Sequence, residues 1–210
     1  MRRAAAEARY LLDRGYPKDS ALRFVSDHHR LPQEQRYVLI RVLVAAELAR
    51  SRIAKIVPLW ALRGDVVFVD GYNVLITAES LLEGSPVYLC DDGILRDTRG
   101  VFKRYTASHL TAQALSSILD LLVLAAPARS EILLDQQMSR SGELAGLIRG
   151  MMAERRLPGA ARTAKDVDHR LKTAAAIVAS GDGDVIDAAS AVVDLPAEMA
   201  KMRGLKLLQL

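Results

Sequence analysis

One cysteine, Cys90, is the whole thiol content of 210 residues. That excludes an internal disulfide and a thiolate metal cluster, and makes cytoplasm the expected setting. Aromatic residues amount to 5% of the chain, so unpaired bases would find few platforms for stacking. No run of about 18 apolar residues occurs, which argues against a transmembrane span. Met1-Arg2-Arg3 is not followed by an apolar segment of the signal-peptide kind. A glycine-rich phosphate loop of the G-x-x-x-x-G-K type is missing, which counts against a nucleotide-binding enzyme or phosphatase of similar sheet topology. Internal repeats and low-complexity tracts are missing too. What remains is a chain half hydrophobic by composition, enough for one domain with an appendage or for two small domains.

Charge divides this chain unevenly. The formal net charge is +4, but residues 1–63 carry 13 Lys and Arg against 6 Asp and Glu, a balance of +7. Residues 64–210 carry 16 against 19, a balance of −3. A basic module joined to a mildly acidic one predicts that the first meets a polyanion, the alternative being a solvated helical surface.

Hydrophobic periodicity separates the same two regions. Residues 2–16 place Ala5, Ala8, Leu11 and Leu12 on one helical face, with Gly15 and Pro17 as stop signals. A second helix is predicted to His28 and a long one over Glu34–Ala49. From Asp65 the pattern alternates. Val66–Val69 reads as a strand buried on both faces, followed by a helix over Asn73–Leu82. Asp91-Asp92-Gly93 joins Val87–Cys90 to Ile94–Arg96 as a hairpin. Then come a helix over Thr106–Ala125, a strand over Glu131–Leu134 and a helix over Gly142–Arg155, with Ser141 as its expected cap. Strands at Ala160–Thr163 and Ala174–Ala179, a short helix from Val185 and an edge strand at Leu205–Leu208 complete the chain. The fold class expected is a three-layer α/β sandwich with a mostly parallel sheet over residues 64–210, behind an all-α module over residues 1–63.

Three predicted strands end in carboxylates: Asp70, Asp135 and Asp182. The carboxyl edge of a parallel sheet is where such folds bind ligands. Two carboxylates about 4 Å apart repel by roughly 4 kcal/mol at an effective dielectric near 20, a cost that a shared proton or a hard divalent cation offsets. Oxygen ligands suit Mg2+ or Mn2+ rather than zinc. Asp166 and Asp168 are further acids among Lys165, Arg170 and Lys172, with salt bridging as the plain alternative. Asp92, Arg96, Asp97 and Arg99 either line a pocket, the arginines pairing phosphate, or pair among themselves. Ser139, Ser141 and Glu143 either seat a phosphate at a helix start or merely cap it.

D-G-Y-N at Asp70–Asn73, L-L-D at Leu133–Asp135, V-D at Val167-Asp168 and S-G-D-G-D at Ser180–Asp184 together resemble, in order, the NYN branch of PIN-like nucleases. The resemblance spans residues 66–190 and implies a PIN-like, Rossmann-like sandwich with Mg2+- or Mn2+-dependent ribonuclease activity. By it, Asp70 is the central metal ligand, oriented by Asn73, and Asp135, Asp168 and Asp182 complete the pocket, with Asp184 as the alternative to Asp182. Arg96, Arg99, Ser139, Ser141 and Lys172 are the expected substrate contacts. RNA is the expected partner, no membrane is, and a homo-oligomer is compatible with the reading. There are departures: only His169–Thr173 separates Asp168 from the next strand, Val185 stands where an aromatic is common, and Asp91–Gly100 is an insertion. The short Asp168 region and the sparse aromatics support a rival reading, a non-catalytic nucleic-acid- or protein-binding module with a degenerate site. A basic helical module ahead of such a domain also resembles a little-characterised prokaryotic family of unknown function.

Overall fold

The computed structural model describes residues 1–99 and 105–210. At its centre Val66–Asp70 forms β1, whose alternate side chains serve two cores. Val67 and Val69 enter a main cluster, while Phe68 packs against a second cluster on the opposite face. This is the period-two signature of a strand covered on both sides. The sheet is completed by β4 (Arg129–Asp135), β5 (Gly159–Ala164) and β6 (Ile177–Ala179), and β4 divides in the same way, Ile132 and Leu134 against Leu133. The four strands run parallel in the order β5-β4-β1-β6. The chain thus leaves β1 toward β4 and β5, then returns to the other flank of β1, so that the connections reverse beside it. The α/β class with a mostly parallel sheet is therefore as the sequence indicated.

Helices fill both outer layers. On the main-cluster side lie α5 (Gly71–Glu83), α6 (Thr111–Ala125), α7 (Ser141–Glu154) and α10 (Leu195–Met202). The short helices α8 (Val167–Lys172) and α9 (Gly183–Ala188) supply Val167, Leu171, Val185 and Ile186 to the other face. Gly71 is dictated by close approach: a Cβ there would come within 2.8 Å of the Leu133 carbonyl oxygen, too near for any other residue. Outside the sheet, β2 (Val87–Leu89) and β3 (Leu95–Asp97) pair antiparallel about the Asp91-Asp92-Gly93 turn, the hairpin expected from that tripeptide. Leu205–Leu208 contributes a single bridge, Leu208 to Tyr88, rather than a full edge strand.

The N-terminal segment holds α1 (Arg2–Leu12), α2 (Lys18–His28), α3 (Gln33–Val42) and α4 (Ala46–Ile53), followed by a 3-10 turn over Leu59–Leu62. The single helix expected over Glu34–Ala49 is broken at Leu43–Ala45. Leu43 and Ala45 are extended, and the hairpin turn fills the gap. The Asp91 N–H donates to the Val42 carbonyl, and the Val44 N–H donates to the Asp91 carboxylate at 3.4 Å. Arg9 clamps that carboxylate at 2.7 and 3.0 Å. Helix α6 starts at Thr111 rather than Thr106, because the Ser108 and Thr111 hydroxyls close a local turn ahead of it by accepting the N–H groups of Leu110 and Ser108. Among the described residues no helix is long and apolar enough to cross a membrane.

Candidate functional site

Each strand of the parallel sheet delivers one carboxylate to its C-terminal edge. Asp70 ends β1, Asp135 ends β4, Asp168 lies in the first turn of α8 after β5, and Asp182 follows β6. All four line one cavity of about 500 Å³, together with Asn73, Tyr72, Gln137, Met138, Lys165 and Asp166. Tyr37 and Arg41 of α3 form part of the wall, so the basic N-terminal segment closes one side of an acidic hollow. Helix α8, although only six residues long, suffices to bring Asp168 to the cavity.

These acids also do structural work. The Asp70 carboxylate caps α5, accepting the Asn73 N–H at 3.3 Å, and accepts the Ser180 hydroxyl at 2.8 Å. Asp182 caps α9 through the N–H groups of Asp184 and Val185, and Asp135 accepts the Gln137 N–H at 2.8 Å. The Asn73 side-chain oxygen takes the Gly181 N–H at 2.8 Å. A Cβ on Gly181 would stand 2.7 Å from that oxygen, so glycine is required for the β6–α9 loop to close over Asn73. Burial pushes the Asp70 carboxyl up to about 7, and the nearby Asp182 and Asp168 add to the effect, against the opposing hydrogen bonds from Ser180 and Asn73. A carboxyl so placed is costly to ionise unless a cation stands beside it.

Behind the loop lies a charge network whose burial the sequence did not reveal. Asp92 is fully buried and accepts a two-pronged bond from Arg96 at 2.7 and 2.8 Å and a third bond from Arg52 at 2.9 Å. Arg52 forks onto Asp187 at 2.7 and 2.8 Å. Arg96 Nε donates to the Gly181 carbonyl at 2.6 Å. Burial alone would raise the Asp92 carboxyl, yet Arg96 and then Arg52 outweigh it and hold it below the usual carboxylate range. The chain of bonds runs from α4 through the hairpin to the loop carrying Asp182. The run of alternating charges over Asp91–Arg99 was the available signal for their pairing.

Several residues expected at the site are placed elsewhere. Arg96 is buried in the network just described, so for it the pairing within the hairpin, with Asp92, is the expectation realised. Arg99 pairs with Glu83 at 3.0 Å, and the insertion's last residue, Gly100, lies outside the described residues. Asp184 points into an ion pair with Lys172 at 3.6 Å, and neither lines the acidic cavity. Ser141 is buried within the first turn of α7, whose cap position is Arg140, and Ser139 belongs to a second cavity. Of the basic residues in the N-terminal segment, Arg3, Arg9, Arg36 and Arg52 are in ion pairs, which takes up part of the +7 balance.

The donor set of the cavity is carboxylate and amide oxygen, chemistry that fits a hard divalent cation. The three-residue group of metal-ligating side chains whose donor atoms lie within 4.8 Å of one another, among the described residues, is Glu7 on α1 with His28 and His29 at the end of α2, not a set of cavity acids.

Comparison with known proteins meets the chain at both ends. A family model described as Domain of unknown function (DUF5616) matches residues 59–198. The chain belongs to the DUF5616 family. Residues 1–55 match a second model, Protein of unknown function (DUF434). An uncharacterized protein of Methanocaldococcus jannaschii is 35% identical over 198 residues, covering 93% of this chain and 94% of that one. The same two-part arrangement therefore has an archaeal relative of nearly the same extent, in keeping with the expected prokaryotic family of unknown function. No solved structure matches. The DUF5616 match spans every strand and all the acids that line the cavity; the DUF434 match contributes Tyr37 and Arg41 to its wall, and Arg52 to the network behind it.

Proposed function

We propose that this DUF5616 protein is a PIN-like, divalent-cation-dependent nuclease that hydrolyses phosphodiester bonds in RNA. The observation that carries the reading is one acid from each of four parallel strands around a single cavity, with Asp70 lifted to about 7. Asp70, with Asp135 and Asp182, would hold Mg2+ or Mn2+, and Asp184 drops out as an alternative because it faces Lys172. When bound, the cation neutralises charge at the phosphate and acidifies water. The rest is the work of the chain. Asn73 accepts the Gly181 N–H on its amide oxygen, which fixes the side chain and leaves its NH2 donors for a phosphate oxygen or a water. Asp70, costly to ionise while it stands alone in the cavity, is held ionised once a cation stands beside it. Lys165 and Arg41, both in the lining of the cavity, would balance the phosphate charge that the acids repel.

The test is cleavage of single-stranded RNA by full-length protein in Mg2+ or Mn2+, with a chelator as control. Asp135→Asn should lower the rate by at least about a hundredfold while RNA binding, which draws on the basic wall, is retained. Cleavage that survives both Asp70→Asn and Asp135→Asn overturns the site. One observation favours the rival, a non-catalytic binding module: the cavity acids already accept bonds from their own loops and do not close into a three-ligand group. That reading expects RNA binding without turnover under any divalent cation.

A further inference from the structure

Beside the acidic cavity lies a second one of about 410 Å³, and the two share Tyr72 as a wall. The loop from β4 to α7 partitions them: Gln137 and Met138 face the acids, while Ser139 and Arg140 face the second space. Its lining is of a different kind. Tyr72 and Tyr105 meet edge to face, with ring centroids 5.4 Å apart, and Leu144, Leu147 and Ala112 complete an apolar surround. In a chain with so few aromatics, two converge here. The Tyr105 hydroxyl is anchored, donating to Glu79 at 2.7 Å. The Tyr72 hydroxyl is not: the residue is only 5% exposed, yet that oxygen has no hydrogen-bond partner among the described residues. A buried hydroxyl without a partner is uncommon and costly, and here it stands on the partition between the cavities.

A planar ring with polar edges is the ligand that such a space accommodates. Ring faces and leucines take the flat surface, the hydroxyls of Ser108, Ser139 and Tyr72 can meet edge donors and acceptors, and the exposed Arg140, paired with Glu143, belongs to the lining. We propose that the second cavity is a nucleobase subsite, which receives the base of a nucleotide whose phosphate sits at Asp70 and Asp135. It rests on the nuclease reading for the identity of its neighbour, but its own binding energy comes from stacking and the Tyr72 hydroxyl, and needs no cation.

The experiment is titration of the full-length protein in EDTA with AMP, UMP and ribose 5-phosphate, followed by NMR. Both nucleotides should bind roughly 5- to 150-fold more tightly than ribose 5-phosphate, the range that stacking of one base provides. Ala112→Trp, at an exposed position on the cavity wall, should remove that advantage, and Tyr72→Phe should cut nucleotide affinity about fivefold. If Ala112→Trp does not fold, Leu147→Glu, at a residue 45% exposed, takes its place. Equal affinity for nucleotide and ribose 5-phosphate, or nucleotide affinity untouched in a folded blocking variant, overturns the subsite. The two readings fail separately. RNA cleavage without a base preference over ribose 5-phosphate leaves the nuclease and removes the subsite, whereas metal-free AMP binding that exceeds ribose 5-phosphate binding and is lost in Ala112→Trp, without any cleavage, does the reverse.

Discussion

Replacing Arg96 with methionine removes three hydrogen bonds at once, two to Asp92 at 2.7 and 2.8 Å and one to the Gly181 carbonyl at 2.6 Å. Asp92, fully buried, then keeps Arg52 as its one charged partner, with a long 3.4 Å bond from the Ile94 N–H. Removing one member of a buried pair typically costs about 3–5 kcal/mol, because the remaining charge is left without compensation. For a chain whose urea slope is about 2 kcal/mol per molar, the midpoint should fall by roughly 2 M. Urea unfolding followed by circular dichroism reads this directly. A second variant, Arg96→Met with Asp92→Leu, separates charge from packing: apolar replacement of both partners should recover much of the loss. A midpoint shift under about 0.5 M in the single variant, or a double variant no better than the single, would refute the reasoning.

Other outcomes follow from the same geometry. The folded Asp70 carboxyl keeps its proton to about pH 7, whereas in the unfolded chain it releases it near 3.9. The unfolded state therefore binds fewer protons in that window, and this residue's contribution to stability declines as pH rises from about 4 to 7, by up to roughly 4 kcal/mol. Asp70→Asn should flatten that decline in denaturation compared at pH 5 and pH 8, and an unchanged slope would exclude Asp70 as its source. Gly181→Ala should destabilise by about 1–3 kcal/mol, since the new methyl meets the Asn73 oxygen; a neutral result in thermal unfolding would mean that the loop yields freely. Lys165→Ala should lower the salt slope of single-stranded RNA binding by about 0.7, the value of one phosphate contact, and an identical slope would place the phosphates elsewhere.

The parts of the fold legible in sequence were those written in local patterns. Four β-branched or aromatic residues ending in Asp70, a buried run ending in Asp135 and the tripeptide Asp91-Asp92-Gly93 announce strand ends and a hairpin, and that is where these elements stand. The helix break at Leu43–Ala45 was not legible, since its cause is the remote Asp91, which offers its N–H and carboxylate to the gap. For the same reason the arginines misled: Arg96 looks like a phosphate ligand until Asp92 is seen to be buried beneath it. Tyr72 sat inside the motif D-G-Y-N without attracting a role, because an orphaned hydroxyl is a property of surroundings, not of residue type.

The Arg52 crossing has a consequence for how the chain is divided. Family models part it between residues 55 and 59, but Arg52 lies before that boundary and its partners Asp92 and Asp187 lie after it. Two separately expressed pieces would each inherit half of a charge pair: one an arginine with no acid to face, the other an acid nearest the loop that shapes the cavity. The seam drawn by sequence comparison is thus not a seam in cohesion. The helices and the sheet should be made, mutated and inherited together, with substitutions at Arg52 tolerated only alongside compensating change at Asp92 or Asp187.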